Sequence, residues 1–378
     1  MTNDSSKRLE SLDVLRGLDL FCLVFIGPVM FALARNIDAP WFQSVMWCFS
    51  HAEWEGFSPW DLVMPLFMFM AGVSMPFSLS KYIDASDKWP VYRRIIKRVA
   101  LLWIFGMICQ GNLLGLNPDK IYFYSNTLQA IAAGYLIAAL LFLNTKPKVQ
   151  ITVAALLLIT YWILMQFVSV GNYGGGNYTP DGNLAEWVDR TVLGRFRDRA
   201  TVDESGAVIF AAKYRYTWVL STLNFGVTVL TGLFAGQILR GGRTPARKTT
   251  ILLVAGAAMV AAGWLWGIQM PVIKKIWTSS MTLVSSGYCF ILLGVFYYLI
   301  DVRGWNRYTG WLKYYGMNSI LAYMIAQVVS FDSVIRSFTY GFEQYMGVWY
   351  GVLLKLCSVT IIFFILRWLY NQKIFLRV

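Results

Sequence analysis

Residues 12–34 read LDVLRGLDLFCLVFIGPVMFALA, with Asp13, Arg16 and Asp19 in the first eight positions and no charge in the fifteen that follow. About 20 predominantly apolar residues suffice to cross a bilayer as a helix, so this stretch predicts a span whose entry is charged and whose body is not. Nine further runs share that character, at about 61–80, 99–116, 126–143, 149–170, 217–239, 250–268, 281–300, 316–331 and 347–369. None alternates polar and apolar residues as membrane strands do, and helices satisfy their own backbone groups in lipid. The expectation is an all-α membrane protein of about ten transmembrane helices, a single polytopic domain over residues 1–378. Composition agrees: 57% of residues are hydrophobic and 14% charged, against roughly a quarter charged in soluble domains.

A net charge of +13 raises the question of nucleic acid, and the placement of the charges answers it. Connections that alternate from the N-terminus carry 21 of the 33 basic residues, including Lys7, Arg8, Arg16, the run Arg93, Arg94, Lys97 and Arg98, and Arg377. The opposite connections hold 11, among them Lys213 and Arg215 in one long loop, and Lys355 falls inside the last span. Positive charge follows the cytoplasmic side of short loops. Both termini are therefore expected in the cytoplasm, with membrane lipids as partners and no nucleic acid. The first run is too long for a cleaved signal and lacks a small-residue cleavage site, so it reads as a retained helix. The five cysteines are scattered without a CxxC or Cys/His cluster, which predicts neither a disulfide framework nor a metal site.

The one sizeable interruption is the loop at about 171–216. It opens on turn residues, Gly171 to Asn183, and continues through a short amphipathic stretch, Leu184 to Arg190. A loop of this length is a lid, a sugar-binding edge or an inert solvated segment. Gly232 and Gly236 form a GxxxG, which serves close packing within the chain or homodimerisation.

Chemistry concentrates around His51, the chain's single histidine and hence its one imidazole for proton transfer near neutral pH. Glu53, Trp54, Glu55 and Asp61 stand within ten residues of it. Asp61 caps the second span or holds the imidazole, and Trp54 is an interfacial aromatic or a platform for a sugar ring. Asp13, Arg16 and Asp19 share one helical face, as a structural ladder or as the anchor of an anionic ligand. The outer turn Pro271–Ser280 brings Lys274, Lys275 and Trp277 to the same side as His51. Asn318 and Ser319, within Gly316-Met317-Asn318-Ser319-Ile320, place an amide and a hydroxyl in an apolar helix, for helix packing or for ligand contact.

Taken together these stretches resemble the heparan-α-glucosaminide N-acetyltransferase family and its bacterial relatives. The matching residues run in order from Arg8-Leu9, Leu12-Asp13 and Arg16-Gly17, through His51-Ala52, Trp54, Gly56, Asp61-Leu62-Val63 and Pro65, to Leu128-Gln129, Pro271-Val272, Lys274 to Trp277, and Gly316 to Ile320. The resemblance implies a multi-pass bacterial plasma-membrane acyltransferase. It would carry an acetyl group from cytoplasmic acetyl-CoA, a co-substrate, to the amine of an amino sugar or glycan on the far side, without a metal. His51 matches the family's active-site histidine, as base or acyl carrier, with Asp61 assisting. Arg16, Asn318 and Ser319 would lie along the donor path, and Trp54, Lys275 and Trp277 near the acceptor. One departure stands out. Gly27 occupies the position of an asparagine that joins the histidine in the family's active site. Either Asn36 or a water compensates, or the donor, acceptor or activity has changed. An acyltransferase for a lipid headgroup or another polysaccharide, and a transporter derived from such an enzyme, are the alternative readings.

Overall fold

In lipid a backbone amide finds partners only within its own segment, so each apolar run closes its hydrogen bonds as a helix. The computed structural model describes residues 9–111, 113–117, 120–212 and 216–376. Lys7, Arg8, Lys213, Arg215 and Arg377, counted above, lie outside the described residues. Among the described residues, eight helices are long and apolar enough to cross a membrane. They are α1 (Glu10–Ala34), α2 (Pro59–Ser78), α3 (Thr127–Asn144), α4 (Pro147–Phe167), α5 (Thr222–Arg240), α6 (Pro245–Trp266), α7 (Ser279–Val302) and α8 (Asp332–Asn371).

The difference from the ten expected spans lies in two segments. The helix Trp89–Cys109 has 21 residues, but Arg93, Arg94, Lys97 and Arg98 occupy its first half. Ser319–Val328 is apolar yet only 10 residues long, about 15 Å. Its N-terminal side is interrupted at Asn318, whose φ of −117° and ψ of 39° separate it from the helix Leu312–Met317.

Lipid supplies no hydrophobic drive for helix association, so close van der Waals packing through small residues takes its place. A Cβ on Gly232 would lie 2.0 Å from the Phe69 carbonyl oxygen, and one on Gly236 would lie 2.4 Å from that of Val73. The GxxxG face of α5 is therefore spent on α2 within the chain. The same device joins two of the motifs read in sequence. A Cβ on Gly17 would lie 2.0 Å from the Leu312 oxygen, and one on Gly316 would lie 2.0 Å from that of Asp13. Arg16 is thereby carried to the segment Gly316–Ser319. Leu128-Gln129 proves to be a cap: Asn126 accepts from the Leu128 amide at 2.8 Å, and Gln129 accepts from the Asn126 amide at 3.0 Å.

The long loop is folded. Ser169–Val170 pairs antiparallel with Tyr173–Gly174, and Thr201–Val202 with Val208–Ile209. Between these hairpins stands the expected amphipathic helix, at Leu184–Leu193, capped by Asn183. Arg197, fully buried, pairs with Glu186. Asp189 accepts from the amides of Trp218 at 2.8 Å and Val219 at 2.9 Å, which ties the helix to the entry of α5.

Candidate functional site

The turn that follows His51 does two jobs with one carboxylate. Ser58 is the N-cap of the 3₁₀ turn Pro59–Leu62, and Asp61 Oδ2 accepts from the Ser58 amide at 3.0 Å and the Ala52 amide at 3.2 Å. The other oxygen, Oδ1, lies 2.8 Å from His51 Nδ1. Asp61 is fully buried, while the His51 side chain is 38% exposed. A carboxylate can only accept, so the neutral imidazole carries its proton on Nδ1 and presents the Nε2 lone pair. Capping and orienting, offered by the sequence as alternatives for Asp61, are both realised.

A third group joins them. Lys274 Nζ lies 3.0 Å from His51 Nδ1, 3.4 Å from Nε2 and 3.5 Å from Asp61 Oδ1. Burial pushes its ammonium down to about 8, against the opposing pull of Asp61 and with help from Lys275. Burial also lowers His51 from its ordinary value; the Asp61 hydrogen bond opposes this and the Lys274 charge adds to it. The imidazole is consequently a neutral acceptor at physiological pH. Tyr216 is near enough for Asp61 to reinforce the effect of burial, which raises its hydroxyl to about 12.

The turn bearing Lys274 is held from several sides. Asn224 Nδ2 donates to the Trp277 carbonyl at 2.7 Å, Tyr161 donates to the Ile276 carbonyl, and Gly56 N–H donates to Val272 at 2.8 Å. Trp277 itself takes a φ of +50°, a strained conformation that such an over-determined turn can maintain. Its indole is buried against Phe225 and donates to Thr228 Oγ1 at 3.2 Å. Lys275 instead donates to the Glu53 carbonyl. Of the two adjacent lysines it is Lys274, not Lys275, that reaches the imidazole. Trp54 donates to the Tyr178 carbonyl at 2.9 Å, fastening the long loop to the histidine segment.

His51, Lys274 and Tyr216 line one end of a cavity of about 820 Å³. Its walls include Leu23, Trp60, Phe67, Asn126 and Tyr323, and its other end holds Arg16, Ser74, Ser78, Arg98 and Ser319. Ser74 lies 13 residues beyond Asp61 in α2, so the cavity extends about 20 Å along that helix. Arg16 donates to Ser74 Oγ at 3.0 Å. Arg98 stacks on Tyr135, 4.3 Å from the ring centroid, and its buried Nε has no hydrogen-bond partner among the described residues. Arg93, Arg94 and Lys97 of the same basic run are exposed. Asn318 lies aside: buried, it donates to the Ile374 carbonyl at 2.9 Å and accepts from the Leu376 amide at 3.0 Å, clamping the C-terminal segment.

Position 27 has a physical explanation. A Cβ there would lie 2.6 Å from the Trp60 indole, which fills the space an asparagine side chain would need. A π-helical turn, Cys22–Ile26, precedes it, a deviation often found beside functional sites. Asn36 is engaged elsewhere, donating to the Val348 carbonyl at 3.1 Å.

A family model described as the catalytic region of heparan-alpha-glucosaminide N-acetyltransferase matches residues 8–177. The chain is similar to heparan-alpha-glucosaminide N-acetyltransferases. It is 28% identical over 366 residues to the heparan-alpha-glucosaminide N-acetyltransferase of Homo sapiens, covering 84% of this chain and 52% of that protein. To the Mus musculus protein of the same name it is 26% identical over 375 residues, covering 86% and 54%. The chain thus spans about half the length of these curated relatives. Arg16, Gly27, His51, Trp54 and Asp61 fall within the matched region, whereas Lys274, Lys275, Trp277, Asn318 and Ser319 lie beyond it.

Proposed function

We propose that this protein is a transmembrane acetyltransferase of a bacterial plasma membrane, moving an acetyl group from cytoplasmic acetyl-CoA to the amine of an amino sugar or glycan at the outer face. The observation that carries the reading is one cavity with an imidazole–carboxylate–ammonium cluster at one end and two guanidiniums with three serine hydroxyls at the other. The second set suits the phosphates of the donor, and Arg16, Arg98, Ser74 and Ser319 would hold that part. An extended donor arm in the cavity would bring its thioester to His51.

There the acceptor amine attacks the thioester carbonyl. His51 Nε2 takes the amine proton as the C–N bond forms, and returns it to the sulfur as the C–S bond breaks. The same atom could instead carry the acetyl group as an acyl-imidazole. Asp61 keeps the imidazole in the productive tautomer on either route. Lys274 replaces the amide lost at Gly27, its ammonium facing the charge that develops on the carbonyl oxygen. Both termini then lie in the cytoplasm, consistent with the distribution of basic residues.

The test is incubation of the purified protein with radiolabelled acetyl-CoA and glucosamine, comparing wild type with His51→Ala. Labelled N-acetylglucosamine from the wild type and none above background from the variant is the expected result. Equal transfer by both would refute the role of His51. Well-folded wild type that releases no CoA to any of several amines would refute the reading as a whole.

A further inference from the structure

The helix Trp89–Cys109 has two unlike faces. Val91, Ile95 and Leu102 are buried, and between them Arg98 turns to Tyr135 and the cavity. The opposite flank is uncovered. Trp89 is 66% exposed and Ile96 58%, and Arg93, Lys97, Ala100 and Ile104 are exposed with them. At 3.6 residues per turn these six positions fall on one stripe. Its far half, Ala100 and Ile104, is apolar, and its near half mixes aliphatic, aromatic and basic groups. In a chain of membrane-spanning helices an uncovered apolar flank meets acyl chains, and a tryptophan at its end suits the headgroup level.

Arg93 and Lys97 stand one turn apart on this stripe, and neither has a hydrogen bond or an ion pair among the described residues. Arg94 lies beside them over the Tyr82 ring, 5.7 Å from its centroid, and Lys81 lies over the same ring at 5.1 Å. Two neighbouring charges are occupied: Asp87 accepts from the Trp89 amide at 2.8 Å, and Lys88 donates to the Leu143 carbonyl at 2.7 Å. Side chains on a helix lean toward its N-terminus, so the long stems of Arg93 and Lys97 run from the apolar half toward the end marked by Trp89, as snorkelling cations do.

We propose that Arg93 and Lys97, flanked by Arg94, bind the phosphate of an anionic phospholipid whose acyl chains lie along Ala100 and Ile104. A guanidinium forks onto a phosphate and an ammonium adds a point charge, and each basic residue near an anionic leaflet adds to the attraction. A zwitterionic headgroup brings a cation of its own against the same three, which favours the anionic lipid. The headgroup held on one face braces the helix that presents Arg98 to the cavity on the other. This site stands independently of the acetyl-transfer reading.

The experiment titrates delipidated protein in neutral detergent with phosphatidylglycerol or phosphatidylcholine and counts bound lipids by native mass spectrometry. It compares wild type, Arg93→Gln/Lys97→Gln, and Arg243→Gln/Arg247→Gln, a pair of exposed basic residues at another connection. Wild type is expected to favour phosphatidylglycerol. The first double variant should bind it about thirtyfold more weakly, the scale of two basic residues at a membrane surface, and the second should bind it as wild type does. Equal affinity of wild type for the two lipids, or equal weakening in both double variants, would overturn the proposal and leave only diffuse, orientation-setting charge. Glycerol 1-phosphate at the lipid's concentration should not displace it; displacement would show that a free phosphate suffices and would refute the lipid assignment. Thermal melting separates a lost site from a damaged fold: without lipid the variants should melt with wild type, and phosphatidylglycerol should raise the melting temperature of wild type but not of Arg93→Gln/Lys97→Gln.

Discussion

Asp61→Asn tests the central geometry with a change of one atom. An asparagine at this place has two orientations. In the first, its oxygen faces the His51 Nδ1–H and its NH₂ group confronts the amides of Ala52 and Ser58, which now donate to Asp61 at 3.2 and 3.0 Å. Leaving buried donors unsatisfied costs about 1–3 kcal/mol each. In the second, the oxygen keeps both backbone amides and the NH₂ group donates to His51 Nδ1. That orientation is favoured by the count of hydrogen bonds, and it drives the imidazole proton to Nε2, so no lone pair faces the cavity. The variant should therefore fold and melt close to the parent, yet lose its base. The corresponding substitution beside a serine-protease histidine costs about 10⁴ in rate. His51 is 38% exposed, so water can relieve part of the tautomer preference, and a loss of about 10²–10³ in kcat is expected, or about 2.7–4.1 kcal/mol of barrier. Initial rates at saturating acetyl-CoA and glucosamine, with thermal melting in detergent, provide the measurement. A variant that melts normally and turns over within about threefold of wild type would refute the tautomer argument.

The pH profile of kcat/KM should be bell-shaped. His51 acts as a base only when neutral and its pKa lies below 6.5, so the rate falls as pH drops below that value; Lys274, at about 8, loses its charge as pH rises and gives the alkaline limb, which Lys274→Arg should remove. Arg98→Met should raise the KM for acetyl-CoA by about tenfold, whereas Arg94→Met, exposed and outside the cavity, should leave it unchanged; steady-state kinetics decides. Gly232→Ala forces a Cβ against the Phe69 carbonyl and should cost about 1–3 kcal/mol of stability, read as a lowered melting temperature without a change in the pH profile.

The basic first half of Trp89–Cys109 shows why ten expected spans become eight by length and composition. An apolar run beginning at residue 99 is legible locally, but the helix that contains it starts ten residues earlier, among arginines. Ser319–Val328 was legible as apolar, and its short length follows from the break at Asn318, which two backbone angles determine. The cavity wall at Asp198 and Arg199 carried no readable signal, because its placement depends on pairing with residues more than 70 positions earlier.

What the sequence determined by itself was the membrane-spanning helical class, the resemblance to this acetyltransferase family, and His51 with Asp61 as the pair to inspect. Those follow from local facts: runs of apolar residues, one imidazole in the chain, and a carboxylate at a helix entry within the same short segment. Tertiary structure decided the rest. It chose Lys274 over Lys275, because the pinned turn brings Lys274 to the imidazole and Lys275 to the Glu53 carbonyl. It engaged Asn318 with the C-terminal segment and Trp277 with Thr228, and it filled the space beside Gly27 with Trp60. Such choices depend on where distant segments meet, and a side chain's chemistry is not realised until its neighbours fix its direction, its burial and its proton.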